Sequence, residues 1–130
     1  MADEWRGEGD AVDFDRMMLT RLASTVIDLA GERRGYWIDE VLNYLQTDLL
    51  CHRATTPEAL VARQNAAWDP LLDWLESQFG ARMAVIAGVK AARQPDHLIA
   101  AVRAFTDALD DWRILGVTTA TQLSGSAVIG

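Results

Sequence analysis

Apolar residues recur at helical spacing along most of this chain. Leu19, Leu22, Ala23, Val26, Ile27 and Ala30 follow i, i+3, i+4 steps behind Asp13 and Asp15 and stop at Gly31, which predicts a first helix. After an Arg33-Arg34-Gly35 break, Trp37, Ile38, Val41, Leu42, Leu45 and Leu49 repeat the period and predict a second helix ending near Thr47. Asp48 to Thr55 shows no clear period and reads as a connector. Thr56-Pro57-Glu58 then supplies a hydroxyl cap, a residue with no N–H to leave unpaired, and an acid at the positive end of a third helix. Its apolar positions are Leu60, Val61, Trp68, Leu71, Leu72, Leu75 and Phe79, and Gly80 marks its end. Pro70 should kink or restart this helix, with Asp69 as the cap of the restart. Met83 to Val89 is a short apolar run with Gly88, read as a strand or extended connector with no evident partner.

Pro95-Asp96 opens a fourth helix whose buried stripe is Leu98, Ile99, Val102, Phe105 and Leu109, with Arg103 and Asp107 paired at i, i+4 on the wet side. A fifth helix follows Asp110-Asp111 and uses Trp112, Leu115, Gly116, Thr119, Leu123 and Ala127. Its small residues Gly116, Ala120, Ser124 and Gly125 would let another backbone approach. The stretch then runs to Gly130 without a cap or charged turn, as a helix cut short would. The whole pattern is mainly α: a single helical domain of about five helices over residues 1–130, with at most a short extended segment near 83–89.

Composition agrees and narrows the function. At 130 residues, half of them hydrophobic and 24% charged, the chain can bury a real core and is no disordered tail or coiled-coil rod. A net charge of -7 is the wrong sign for neutralising phosphates, so nucleic acid is not an expected partner. The single Cys51 can form no internal disulfide, which favours a reducing compartment. Met1 to Asp10 lacks the basic start and apolar run of a signal peptide. Ile114 to Gly130 carries no charge, yet its Thr, Ser and Gln residues make it too polar and too short to span a membrane.

No constellation of catalytic residues stands out. Cys51 and His52 are adjacent and point in different directions on a helix or a strand, so they make no dyad, and Cys51 reads as a small packed hydrophobe. His52 and His97 are far apart, and no metal-ligand spacing is present, so neither a metal nor a cofactor is expected. Asp10, Asp13 and Asp15 lack the Gly and closing Glu of a calcium loop. Gly7-Glu8-Gly9 has no third Gly and no preceding strand, which excludes a nucleotide loop. Five Trp is a high count: Trp68 falls on the Leu71, Leu72, Leu75 face and reads as core, whereas Trp74 falls off that stripe and is the first place to seek a contact surface.

Read together, MLTRLASTVID at 18–28, YLQTDLLCHRA at 44–54 and RQNAAWDPLLDWLESQFG at 63–80 resemble the ATP synthase alpha-subunit assembly chaperones, the ATP-twelve family of mitochondria and alpha-proteobacteria. Glu4-Trp5 is similar to the family's segment just ahead of the first block. The resemblance implies the C-terminal helical part of a larger β-plus-α chaperone, without the family's N-terminal β domain and closing acidic helix. Met18 stands where the family usually has Pro. What it implies about function is non-enzymatic: binding of the free alpha subunit and protection of its exposed interface until a beta subunit replaces the chaperone, in the bacterial cytoplasm or the mitochondrial matrix of eukaryotic relatives. The residues that carry the pattern are Thr47, Asp48, Cys51, Arg53, Trp68, Asp69, Pro70 and Trp74. They are expected to be mostly architectural, with Asp48 and Asp69 as caps or as partners of Arg53. Two other readings compete: a helical oligomerisation module that packs through Ile114 to Gly130, and a small helical enzyme using Asp48, His52 and Arg53 around a polar cleft.

Overall fold

The computed structural model describes residues 1–6, 12–88, 90 and 93–130, so Gly7-Glu8-Gly9, Asp10 and Val89 lie outside the described residues. In chain order the elements are α1 (Ala2–Arg6), α2 (Met18–Gln46), β1 (His52–Arg53), α3 (Glu58–Phe79), β2 (Ile86–Ala87), α4 (Asp96–Ala108) and α5 (Asp111–Ser124). The fold is mainly α, as the periodicity predicts.

The first two predicted helices are one. α2 continues through Gly31 and Gly35 for 29 residues, because Val26, Ala30, Trp37, Ile38, Val41, Leu42 and Leu45 form one continuous buried face. Each interior glycine costs about 1 kcal/mol relative to alanine, while burying a single large side chain of that face contributes about 1.5–3 kcal/mol. Neither glycine has positive φ, and a Cβ added at either would meet nothing within 4 Å. Gly31→Ala and Gly35→Ala are therefore expected to stabilise the protein by roughly 0.5–1 kcal/mol each, additively, as a raised urea midpoint at constant slope.

The start of α2 is also capped differently from the expected Asp13–Asp15 pattern. Asp13 caps only a 3-10 turn at Phe14–Arg16. Glu4, carried in on α1, turns its carboxylate to the free end of α2 and accepts from the Leu19 N–H at 2.8 Å and from the Thr20 N–H and hydroxyl at 2.9 Å each. Burial raises this carboxyl, but those hydrogen bonds and the positive charge of the Met1 amine outweigh it and hold the Glu4 carboxyl below its ordinary value.

α3 runs uninterrupted through Pro70 and ends at Gly80 in the left-handed conformation. The predicted restart is absent because Pro70 and Ala66, whose carbonyl loses its helical partner, are both exposed to water. Asp69 thus caps nothing and is free to pair elsewhere. Nor does Thr56 cap the helix: the capping position is Pro57, in extended conformation and without a side-chain bond. That places Thr56 one residue too early to reach the first turn.

The connector after α2 folds into a 3-10 turn at Leu49–Cys51 and then β1. β1 pairs in parallel with β2, His52 opposite Ile86 and Arg53 opposite Ala87, which supplies the partner that the 83–89 run lacked in sequence. α4 forms as predicted, but Phe105 is half exposed, and Arg103 donates to Asp39 of α2 at 2.7 Å instead of pairing with Asp107. α5 packs chiefly on α2. Its buried face is Ile114, Leu115, Thr118 and Thr121, while Trp112, Gly116 and Leu123 face outward, correcting the predicted stripe. Thr118 on that inner face donates to the Ile114 carbonyl at 2.8 Å and to the Trp37 carbonyl at 3.1 Å, which makes its hydroxyl buryable, whereas the buried Thr121 hydroxyl has no hydrogen-bond partner among the described residues. Asp110 caps α5 through the Arg113 N–H, and Gly125, with positive φ, closes it. Arg34 ties the α4–α5 corner to α2 by reaching Asp111 and the carbonyls of Asp107 and Leu109.

Candidate functional site

Most residues of the family pattern meet where α2 ends. Thr47 is the exposed C-cap of α2, its hydroxyl donating to the Asn43 carbonyl. Asp48 is wholly buried. One carboxylate oxygen accepts from the Leu50 N–H at 3.0 Å, and the other accepts from Ala127 at 2.7 Å and Val128 at 3.3 Å. A single acid therefore caps the 3-10 turn and fastens the turn beyond α5 to it. Burial raises the Asp48 carboxyl above its ordinary value, opposed by these N–H donors and by Ser126.

Arg53 is the second buried centre. Its Nε donates to the Leu50 carbonyl at 3.1 Å, and its two terminal nitrogens donate to Asn65 at 3.1 Å and Asp69 at 2.8 Å. The guanidinium also lies 5.2 Å from the centre of the Trp68 ring. Trp68 is accordingly half-buried, packed partly on the core and partly under this cation. The QxxxW(D) spacing of α3 thus has a geometric content: Gln64, Trp68 and Asp69 face the β1 connector, with the Gln64 carbonyl oxygen accepting from the Ala54 N–H at 2.7 Å.

Cys51 is buried against Met83 and Gln94. Burial, reinforced by the Asp48 charge, pushes its thiol up to about 11. The folded state then holds a proton that the unfolded chain releases above its ordinary value of 9.0. Stability is therefore expected to fall as pH rises from about 9 to about 11, by about 3 kcal/mol at most, and Cys51→Ala should remove that slope in alkaline urea titrations. At pH 8, thiol labelling of the native protein should be no faster than its unfolding.

Sequence reasoning missed Gln94, which is buried and brackets Ala84 by accepting from its N–H at 2.9 Å and donating to its carbonyl at 3.2 Å. It also missed the role of Ser126, whose hydroxyl accepts from Val128 and Ile129. A lone amide beside a proline and a serine after a glycine carry no spacing signal that would have found them.

These side chains are committed to one another. Asp48, His52 and Arg53 do not converge on a cleft: Asp48 is enclosed, His52 Nδ1 lies 3.2 Å from the Gly88 carbonyl, and neither of the two clefts described here is lined by any of the three. Among the described residues no group of three or more His, Cys, Asp and Glu is placed to hold a metal, and no helix is long and apolar enough to cross a membrane.

The open surface is apolar instead. A cleft of about 260 Å³ lies over the core between α2, α3, α4 and the turn after α5. Val41, Leu45, Leu75, Val102 and Val128 line it, and Trp74 and Phe105 stand at it 52% and 50% exposed. Phe79, edge-on to Phe105 with ring centres 5.7 Å apart, fixes the orientation of that ring. Its lining holds no charged side chain, in a chain of net charge -7. The off-stripe Trp74 is thus exposed, and it has Phe105 for company. A second cleft, about 300 Å³, lies between α2 and α5.

The model of the family described as ATP12 chaperone protein matches residues 1–76. Atp12 from Paracoccus denitrificans is similar at a TM-score of 0.90 and 31% identity, over 98% of this chain and 55% of that one. A point mutant of Atp12p from P. denitrificans gives the same values. The Atu1473 protein of Agrobacterium tumefaciens is similar at a TM-score of 0.88 and 36% identity, over 97% of this chain and 47% of that one. The chain spans about half the length of the solved structures it matches.

Proposed function

The chain belongs to the ATP12 chaperone protein family, and from that premise we propose that it binds the free alpha subunit of the ATP synthase catalytic head, keeps it soluble and yields it to a beta subunit. The role is non-enzymatic. The observation that carries the reading is the pairing of buried Asp48 and Arg53, each held by several hydrogen bonds within the chain, with a cleft free of charged side chains and flanked by two half-exposed aromatic rings. Asp48 and Arg53 are buried, with both carboxylate oxygens and all three guanidinium nitrogens already hydrogen-bonded within the chain, whereas Trp74 and Phe105 are the kind of side chain that anchors a protein partner at small entropic cost. An unassembled subunit exposes apolar interface, and covering it with rings and aliphatic walls while forming few charged contacts suits a complex that must later dissociate.

The test is light scattering of alpha subunit diluted from denaturant. Equimolar chain should suppress aggregation. Trp74→Glu should weaken binding by about thirty-fold or more, from a loss of about 2 kcal/mol at one anchor, while changing stability by under roughly 0.5 kcal/mol because the ring is half in water already. Suppression that survives both Trp74→Glu and Phe105→Glu would remove the cleft from the reading, and absence of suppression by the unmodified chain would remove the reading itself.

A further inference from the structure

We draw no further inference here: the strongest candidate, the second apolar cleft between α2 and α5, floored by Leu22, Ala23, Val26 and Leu115 with exposed Trp112 at its edge, carries nothing because nothing in the structure shows what covers it.

Discussion

Asp48→Ala is expected to destabilise the protein by about 3–5 kcal/mol, a large part of the roughly 5–15 kcal/mol that holds a domain of this size together. The wholly buried carboxylate accepts from the backbone N–H groups of Leu50, Ala127 and Val128. Truncation leaves two of the three without any acceptor; Val128 alone keeps one, the Ser126 hydroxyl at 3.2 Å. The methyl group also leaves a void between the 3-10 turn and the turn after α5. Asp48→Asn retains one acceptor and turns an NH2 toward the other donors, so it should cost less than alanine but still more than about 1 kcal/mol. The pH dependence has a definite sign. Because burial raises the folded-state value above the ordinary 3.8, the native state binds this proton more tightly than the unfolded chain. Asp48 by itself therefore lowers stability as pH rises from the unfolded value through the raised one, and that component should vanish in Asp48→Asn. Urea titrations between pH 3.5 and 7, run as roughly half-unit steps, measure both the loss and the slope. A change under about 0.5 kcal/mol on Asp48→Ala would mean that the turn at 126–129 is not fastened this way.

Arg53→Ala is the second large effect, about 2–4 kcal/mol. It strips the Leu50 carbonyl, Asn65 and Asp69 of their donor and removes the cation from the Trp68 ring. The figure stays below that of a fully enclosed ion pair because Asp69 is 45% exposed and rehydrates once released. For the same reason Asp69→Ala should cost only about 1 kcal/mol. Arg53→Lys should recover less than half of the loss: an ammonium cannot hold three acceptors in one plane and lie flat over an indole at once. Urea midpoints of the three variants give the order, and quenching of Trp68 fluorescence reports separately on the ring. Equal stabilities for Arg53→Ala and Asp69→Ala would show that the buried Leu50 carbonyl and the ring contribute nothing.

How much of this was legible depends on how far apart the interacting residues are. α4 is readable because its apolar period, Leu98 to Val102, lies within a few residues, and the start of α5 because Asp110 reaches the Arg113 N–H; the inner face of α5 is not, since half of it is threonine. Phe105 kept the period but is half exposed, since period reports a helix face and says nothing of whether a neighbour covers it. The break assigned at Gly31 to Gly35 fails because local propensity, about 1 kcal/mol per glycine, is overridden by tertiary burial on either side. Glu4 as the cap of α2, 15 residues away, lay beyond any local signal, as did the pairing of His52 with Ile86. The site divides similarly. Asp48, Arg53, Trp68 and Asp69 all belong to the sequence pattern, and the expected Asp69 partnership with Arg53 is present. What Asp48 holds, 79 and 80 residues further on, could be found only in three dimensions. The cleft is half visible in sequence: Trp74 off its stripe points to a surface, but the helical period places Phe105 in the core.

Shielding an unassembled subunit is the central claim, and complex formation tests it most directly. The chain and the alpha subunit, co-expressed without beta and separated by size, should elute together as a soluble one-to-one complex. Added beta subunit should then release the chain as it takes its place. If alpha instead precipitates or elutes alone while this chain remains folded and monomeric, binding of the free alpha subunit is contradicted.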